Sequence, residues 1–215
     1  MRPLLVLSTV LLVAGIAYPG AERGSVLALA WAALAAPAAG QLAGAERCAD
    51  VRRFAPLLVA LAVLYAFAAF TAAPVSAWAA LVICGLFLLG LATGRATDGR
   101  WTGAGLWFAL TLALSGAATG FGQLARPWPP ELTAHLLDVS PVSLVLESAG
   151  VDWMRHPALY DPAGTLDIGP ELRLAWRGKV AGPALFVVGC CALAVSSAWR
   201  ARRAAVSPAT HLENH

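Results

Sequence analysis

Apolar positions along this chain gather into six runs, with the charged positions confined between them. The runs are 3–18, 25–44, 54–71, 75–93, 102–120 and 180–199, and none contains an Asp, Glu, Lys, Arg or His. A helix of about 20 apolar residues spans a hydrocarbon core of about 30 Å. In lipid the backbone has no water to bond to, so each run is predicted to be a helix that satisfies its own amides and carbonyls. The pattern predicts an all-α polytopic membrane protein, a single membrane domain over 1–215. It has six transmembrane helices, one long extracytoplasmic loop (124–179) between helices five and six, and a cytoplasmic tail (200–215).

Details within the runs add local expectations. The first follows Met1 and Arg2 and ends at Tyr18-Pro19-Gly20. A positive start and a short apolar run also describe a secretory signal, but Pro19 interrupts the small-residue cleavage pattern, so a retained span is expected. Pro37 lies inside the second run and is expected to kink it, because proline removes a backbone donor. Only Ala72-Ala73-Pro74 separates the third run from the fourth, which predicts a tight antiparallel hairpin. Small residues recur four apart at Gly40/Gly44, Gly90/Gly94, Gly116/Gly120 and Gly178/Gly182. Such pairs let helix backbones approach closely, and a compact bundle is expected from them rather than a specific dimer motif.

Composition agrees with this class. Hydrophobic residues make up 59% and charged ones 13%, against about 45–50% and about 25% in soluble domains. The net charge of +3 comes mainly from arginines at helix ends. Arg2, Arg47, Arg52, Arg53, Arg95, Arg100, Arg200, Arg202 and Arg203 fall on one side of the predicted topology, while the opposite short loops hold Arg23 alone. Cationic short loops stay in the cytoplasm, so both termini are expected there and 124–179 outside an inner membrane. Trp31, Trp78, Trp101, Trp107 and Trp199 near helix ends suit interfacial belts. No basic patch suits nucleic acid. Cys48, Cys84, Cys190 and Cys191 include no CxxC spacing, and adjacent cysteines are poorly placed to pair, so neither a disulfide nor a thiolate metal site is expected.

Several chemistries lack their residues. Ionisable groups inside membranes mark proton relays, ion paths and intramembrane catalysis, and the six runs have none. There is no HExxH, GxSxG or phosphate-binding GKS/T motif, so no enzyme and no cofactor are expected. Ser8, Thr9, Gln41, Thr71, Thr111, Ser115, Thr119 and Gln123 are the notable polar groups of the runs and their edges, read as contacts between helices or back-bonded hydroxyls.

The long loop holds seven of the twelve acidic residues: Glu131, Asp138, Glu147, Asp152, Asp161, Asp167 and Glu171. After Pro129-Pro130, apolar residues at Leu132, Leu136, Val139, Val142, Leu146 and Ala149 recur at helical spacing. This predicts an amphipathic helix, or two broken at Pro141, started beside Glu131 and stopped by Gly150. Its expected place is along the outer bilayer surface or dipping slightly into it. The remainder, 151–179, is rich in turn formers. There Asp152, Arg155, His156, Tyr160, Asp161 and Asp167 form a candidate ligand or metal cluster, with mutual pairing and turn capping as the reading preferred over a metal site.

Two stretches carry a family resemblance. PWPPELTAHLLDVSPVSLVLES (Pro127 to Ser148) is similar in order and position to the outer segment after the fifth span of type-2 ABC exporter membrane subunits. Glu46-Arg47, at the cytoplasmic end of the second span, resembles the pair that opens the inner, ATPase-contacting loop of that family. The resemblance implies a permease moving a hydrophobic or amphiphilic substrate with a separate ATPase subunit, as a homodimer or paired with another permease. The implied docking residues are Glu46, Arg47, Arg52, Arg53, Arg95 and Arg100. The outer-loop set is Asp138, Pro141, Glu147, Asp152, Arg155, His156 and Asp161. The alternative expectation is a non-transporting integral-membrane subunit or assembly factor whose outer loop docks another protein. A third is an enzyme with its site in 152–167.

Overall fold

A computed structural model describes residues 3–17, 21–46, 50–70, 76–97, 100–120, 129–151 and 179–206. Among them the regular elements are all helical. The α-helices are α1 (Pro3–Val13), α2 (Ala21–Ala45), α3 (Ala55–Phe70), α4 (Ala77–Ala96), α5 (Arg100–Gly120), α6 (Pro130–Val139), α7 (Pro141–Ser148) and α8 (Ala181–Val206). Short 3₁₀ turns at Ala14–Ala17 and Asp50–Phe54 follow α1 and lead into α3.

Among the described residues four stretches are long and apolar enough to cross a membrane: Val26–Ala45, Val51–Ala69, Ala77–Ala96 and Ala181–Arg203. They coincide with the second, third, fourth and sixth expected spans. The first is a shorter apolar helix over Pro3–Ala17 that tightens into 3₁₀ winding. Gly15 lies there against Trp31, whose indole N–H donates to the Leu11 carbonyl at 2.7 Å. The fifth, α5, has the length, but Thr102, Gly103, Gly105, Thr111, Ser115, Gly116 and Thr119 leave it less apolar than the four.

Burial separates a central helix from peripheral ones. The apolar stretch of α2 is 83% buried, against 61% in α4, 33% in α3 and 22% in α8. Helix α2 packs against α1, α3, α4, α5 and α7, while α8 rests chiefly on α4. Leu58, Val59 and Val63 of α3, Leu106, Leu110 and Leu112 of α5, and Val187, Val188 and Val195 of α8 point outward. An apolar exterior of this extent suits contact with acyl chains rather than water.

The α2–α4 contact is made backbone to backbone. A Cβ on Gly40 or Gly44 would strike the Phe87 or Leu91 carbonyl, and one on Gly90 or Gly94 would strike the Pro37 or Gln41 carbonyl. The two small-residue pairs thus face each other within one chain. Gly85, Gly182 and Gly189 do the same between α4 and α8, where a Cβ on Gly85 would lie 2.6 Å from the Leu185 carbonyl oxygen. Gly116 differs, having open space where its Cβ would be, and Gly178 lies outside the described residues. Pro37 removes the donor that the Ala33 carbonyl would have used. One residue on, the Leu34 carbonyl accepts the Thr111 hydroxyl of α5 at 2.9 Å, so a neighbouring helix supplies bonding where α2 is weakened.

The segment 130–148 breaks at Pro141 as expected, and its second helix is enclosed by the bundle. Ser140 caps α7, accepting from the Ser143 amide at 3.3 Å. Gly150, at φ 80°, ends it with the Val151 amide reaching back to Leu146 at 3.0 Å. Pro141, Ser143, Leu144, Val145, Leu146 and Ser148 are all buried, because α7 packs on α2, α4 and α5. Every face of so short a helix is covered when three neighbours surround it, and its amphipathic pattern does not reveal this. Helix α6 behaves closer to expectation, with Glu131, Leu132, His135 and Val139 exposed.

Replacing Gly90 with alanine should lower stability by about 1–3 kcal/mol, the usual cost of overpacking, read as earlier unfolding in a detergent titration. The same change at Gly105, which faces open space, should leave the midpoint unchanged. In a background with all four cysteines replaced by serine, Leu146→Cys should resist maleimide while His135→Cys reacts. Equal labelling would mean that α7 is not inserted.

Candidate functional site

Two polar groupings lie near one end of the described bundle. The first is a hydrogen-bond chain inside it. Gln41 of α2, only 1% exposed, accepts the Thr93 hydroxyl of α4 at 2.6 Å and donates to the Thr97 hydroxyl at 3.1 Å. Thr93 in turn accepts the Trp107 indole N–H of α5 at 2.8 Å. Thr97 closes the chain by donating to the Thr93 carbonyl at 3.0 Å. Donors and acceptors run consistently from α5 through α4 to α2, so a buried amide in an apolar setting is matched rather than stranded. Gly103 makes room for it, since a Cβ there would meet the Gln41 side chain.

The second place is a pocket of about 230 Å³ immediately beyond that chain, at the end of the bundle. Ala45 and Glu46 from the end of α2, Arg53 from the 3₁₀ turn, Gly94 and Thr97 from the end of α4, Arg100 from the start of α5 and Arg200 from α8 line it. Arg53 is 5% exposed and donates to the Glu46 carbonyl at 3.1 Å. Arg100 and Arg200 are exposed and Glu46 is half-buried. Arg203, in the last turn of α8, stacks 3.6 Å over the Trp199 ring.

Three of the expected docking residues, Glu46, Arg53 and Arg100, therefore meet in one pocket. Arg52 and Arg95 lie at the same end without lining it, and Arg47 is outside the described residues. Arg200 completes the pocket and was not among the expected docking residues. Its distance in sequence hides it, because only the packing of α8 on α4 brings it near Arg53. Gln41 was legible as a helix-to-helix contact, but its partners Thr93 and Thr97, and the Trp107 bond to Thr93, were not.

The described members of the outer-loop set, Asp138, Pro141 and Glu147, lie toward the opposite end. Helix α4 runs between the two ends, about 30 Å at about 1.5 Å per residue. At its start Ser76 accepts from the Ala79 amide at 3.3 Å and donates to the Ser148 carbonyl, tying α7 to α4. Asp138 is 1% exposed, Pro141 is buried and Glu147 is half-buried. Asp152, Arg155, His156 and Asp161 lie outside the described residues, as do Tyr160 and Asp167. Among the described residues no three His, Cys, Asp or Glu side chains gather as a metal set.

The described residues form helices alone, and the four membrane-length apolar ones among them fit a membrane-embedded protein. Comparison with protein-family models, with curated proteins and with solved structures gives no match.

Thr93→Val removes the hydroxyl that links Trp107 to Gln41. Hydrogen bonds between membrane helices contribute from about 0.6 to about 2 kcal/mol each, so a loss of about 1–2 kcal/mol is expected in a detergent-unfolding titration. Ser197→Ala, which loses only a bond to the Leu193 carbonyl of its own helix, should change little.

Proposed function

We propose that this chain is the membrane permease subunit of an ABC-type exporter, moving a hydrophobic or amphiphilic substrate with a separate ATPase subunit. In this reading the chain crosses the inner membrane six times, α1 and α5 included, with both termini cytoplasmic and α6–α7 on the outer side. The observation that carries it is the convergence of Glu46, Arg53, Arg100 and Arg200 on one polar pocket at the arginine-rich end. A charged, partly exposed surface built from the ends of four separate segments suits a peripheral partner whose movement must be felt by several helices together. Helix α7, wedged among α2, α4 and α5 at the other end, suits an outer closure that such movement would open. ATP binding by the partner would shift the bundle only through different affinity for its two states. Substrate would pass between two subunits, since α2 is packed on all sides.

A second reading has its own observation. The glycine-mediated contact of α2 with α4 leaves little slack for rearrangement, which suits a non-transporting subunit or assembly factor whose outer segment holds another protein.

Purification of the tagged chain from native membranes in mild detergent, followed by an ATPase assay, separates these readings. An exporter subunit should bring down a stoichiometric P-loop ATPase, lost when Glu46, Arg47, Arg52 and Arg53 are changed together. Recovery of the chain alone, or with extracytoplasmic partners only, would remove the exporter reading.

A further inference from the structure

Helix α5 is attached to the bundle differently from its neighbours. Among the described residues none of its apolar side chains belongs to the main core, which α1, α2, α3, α4 and α7 build with contributions from α6 and α8. Its inner face instead joins a separate small cluster, where Ala104, Trp107 and Phe108 meet Leu4 of α1 and Ala38 and Leu42 of α2. Where α4 meets α2 or α8, a Cβ on Gly90 or Gly85 would strike the partner's backbone. On α5 the glycine that faces the bundle, Gly103, would meet only the Gln41 side chain, and Gly105 and Gly116 face open space. Close-packed backbones resist displacement. A contact made to a side chain can be surrendered by a change of rotamer.

Two hydrogen bonds mark where α5 is held. The Thr111 hydroxyl donates to the Leu34 carbonyl of α2 at 2.9 Å, in the stretch that Pro37 weakens. One turn nearer the arginine-rich end, the Trp107 indole N–H donates to the Thr93 hydroxyl of α4 at 2.8 Å. Otherwise α5 rests on α2 and touches α4 only lightly. Thr93 uses its own proton on Gln41, at 2.6 Å, so losing Trp107 leaves the Gln41–Thr93–Thr97 chain intact. Release of α5 from α4 therefore costs one bond and strands no group on α2 or α4. The helix also reaches both ends of the bundle: Arg100 at its start lines the charged pocket, and α5 packs on α6 and α7. From Thr111 its two arms run about 16 Å and about 14 Å, at about 1.5 Å per residue.

We infer that α5 is a lever, pivoted on α2 at the Thr111–Leu34 bond and latched to α4 by the Trp107–Thr93 bond. Release of the latch moves α5 against a rigid frame of α2, α4 and α8. The glycine seams assign the motion to α5, since neither α2 nor α8 can slide along α4 without backbone clash. Arg100 sits on one arm and α6–α7 pack against the helix, so opening the latch links displacement at the pocket to displacement of the enclosed segment. Trp107 and Thr93 are positioning residues in this device. The latch belongs to the isolated chain and does not rest on the exporter reading.

Double electron–electron resonance on the full chain in lipid nanodiscs tests the lever, with the four native cysteines changed to serine. Nitroxide labels at Leu106→Cys on α5 and Val195→Cys on α8 report the lever against the frame. Labels at Ala77→Cys on α4 and Val195→Cys report the frame alone, and all three positions are exposed. Thr93→Val and, separately, Trp107→Phe should move the first pair toward a second distance. The released population should rise against the latched one about three- to thirtyfold, the weight of one hydrogen bond between membrane helices. Thr93→Ser keeps the hydroxyl and should match the parent, and the Ala77/Val195 distance should stay fixed in every variant. An unchanged α5–α8 distance in either Thr93→Val or Trp107→Phe would overturn the lever. Equal shifts in both label pairs would also overturn it, since they would mean general loosening, as would a Thr93→Ser chain that behaves like Thr93→Val. The expected shifts in a chain that brings down no ATPase would support the lever and remove the exporter reading alone.

Discussion

The close approach of α2 and α4 sets the geometry of everything around it. Four glycines, Gly40, Gly44, Gly90 and Gly94, let each backbone rest on carbonyls of the other. Hydrocarbon offers helices no hydrophobic gain from associating, so dispersion between close backbones and a few polar bonds must hold them. Both are present here: the glycine faces bring the helices together, and Gln41 with Thr93 and Thr97 joins them at the end of the same seam. A larger residue at any of the four positions would push α4 away and separate those partners.

With that pair in place, the other helices have assigned roles. Helix α4 carries α8 on its far side through a second set of glycines, while α1 and α5 flank α2 and donate hydroxyls to it. Ser8 bonds the Ala39 carbonyl at 2.8 Å and Thr111 bonds Leu34. These bonds fall on the stretch around Pro37, where the helix has lost a donor of its own. Helix α7 fills the remaining space between α2, α4 and α5 at the end marked by Ser76. One end of the bundle is thus sealed by a short buried helix, and the other is opened by a charged pocket. That polarity is what both functional readings draw on.

Much of this was legible in the residue pattern. Four of the six apolar runs are membrane-length helices close to their expected bounds, and Pro141 and Gly150 break and stop the outer segment where proline and glycine must. The arginine-rich ends predicted the charged character of one end of the bundle. The pattern was less informative for the first and fifth runs. In the first, the contact of Gly15 with Trp31 accompanies a change of winding. In the fifth, small and hydroxyl residues lower the apolar character without shortening the helix.

Local chemistry by itself determined which segments are helices, where they stop, and that their surfaces belong against an apolar medium, because backbone satisfaction and periodicity act within a few residues. Only the tertiary structure decided which small residues face one another, that α7 is enclosed rather than laid on a surface, and that Arg200 joins Arg53 and Arg100. Those outcomes depend on contacts between segments far apart in the chain, as between α4 and α8, whose packing brings Arg200 to the pocket that Arg53 also lines. Such contacts follow from how whole helices fit together, which no window along a single chain records.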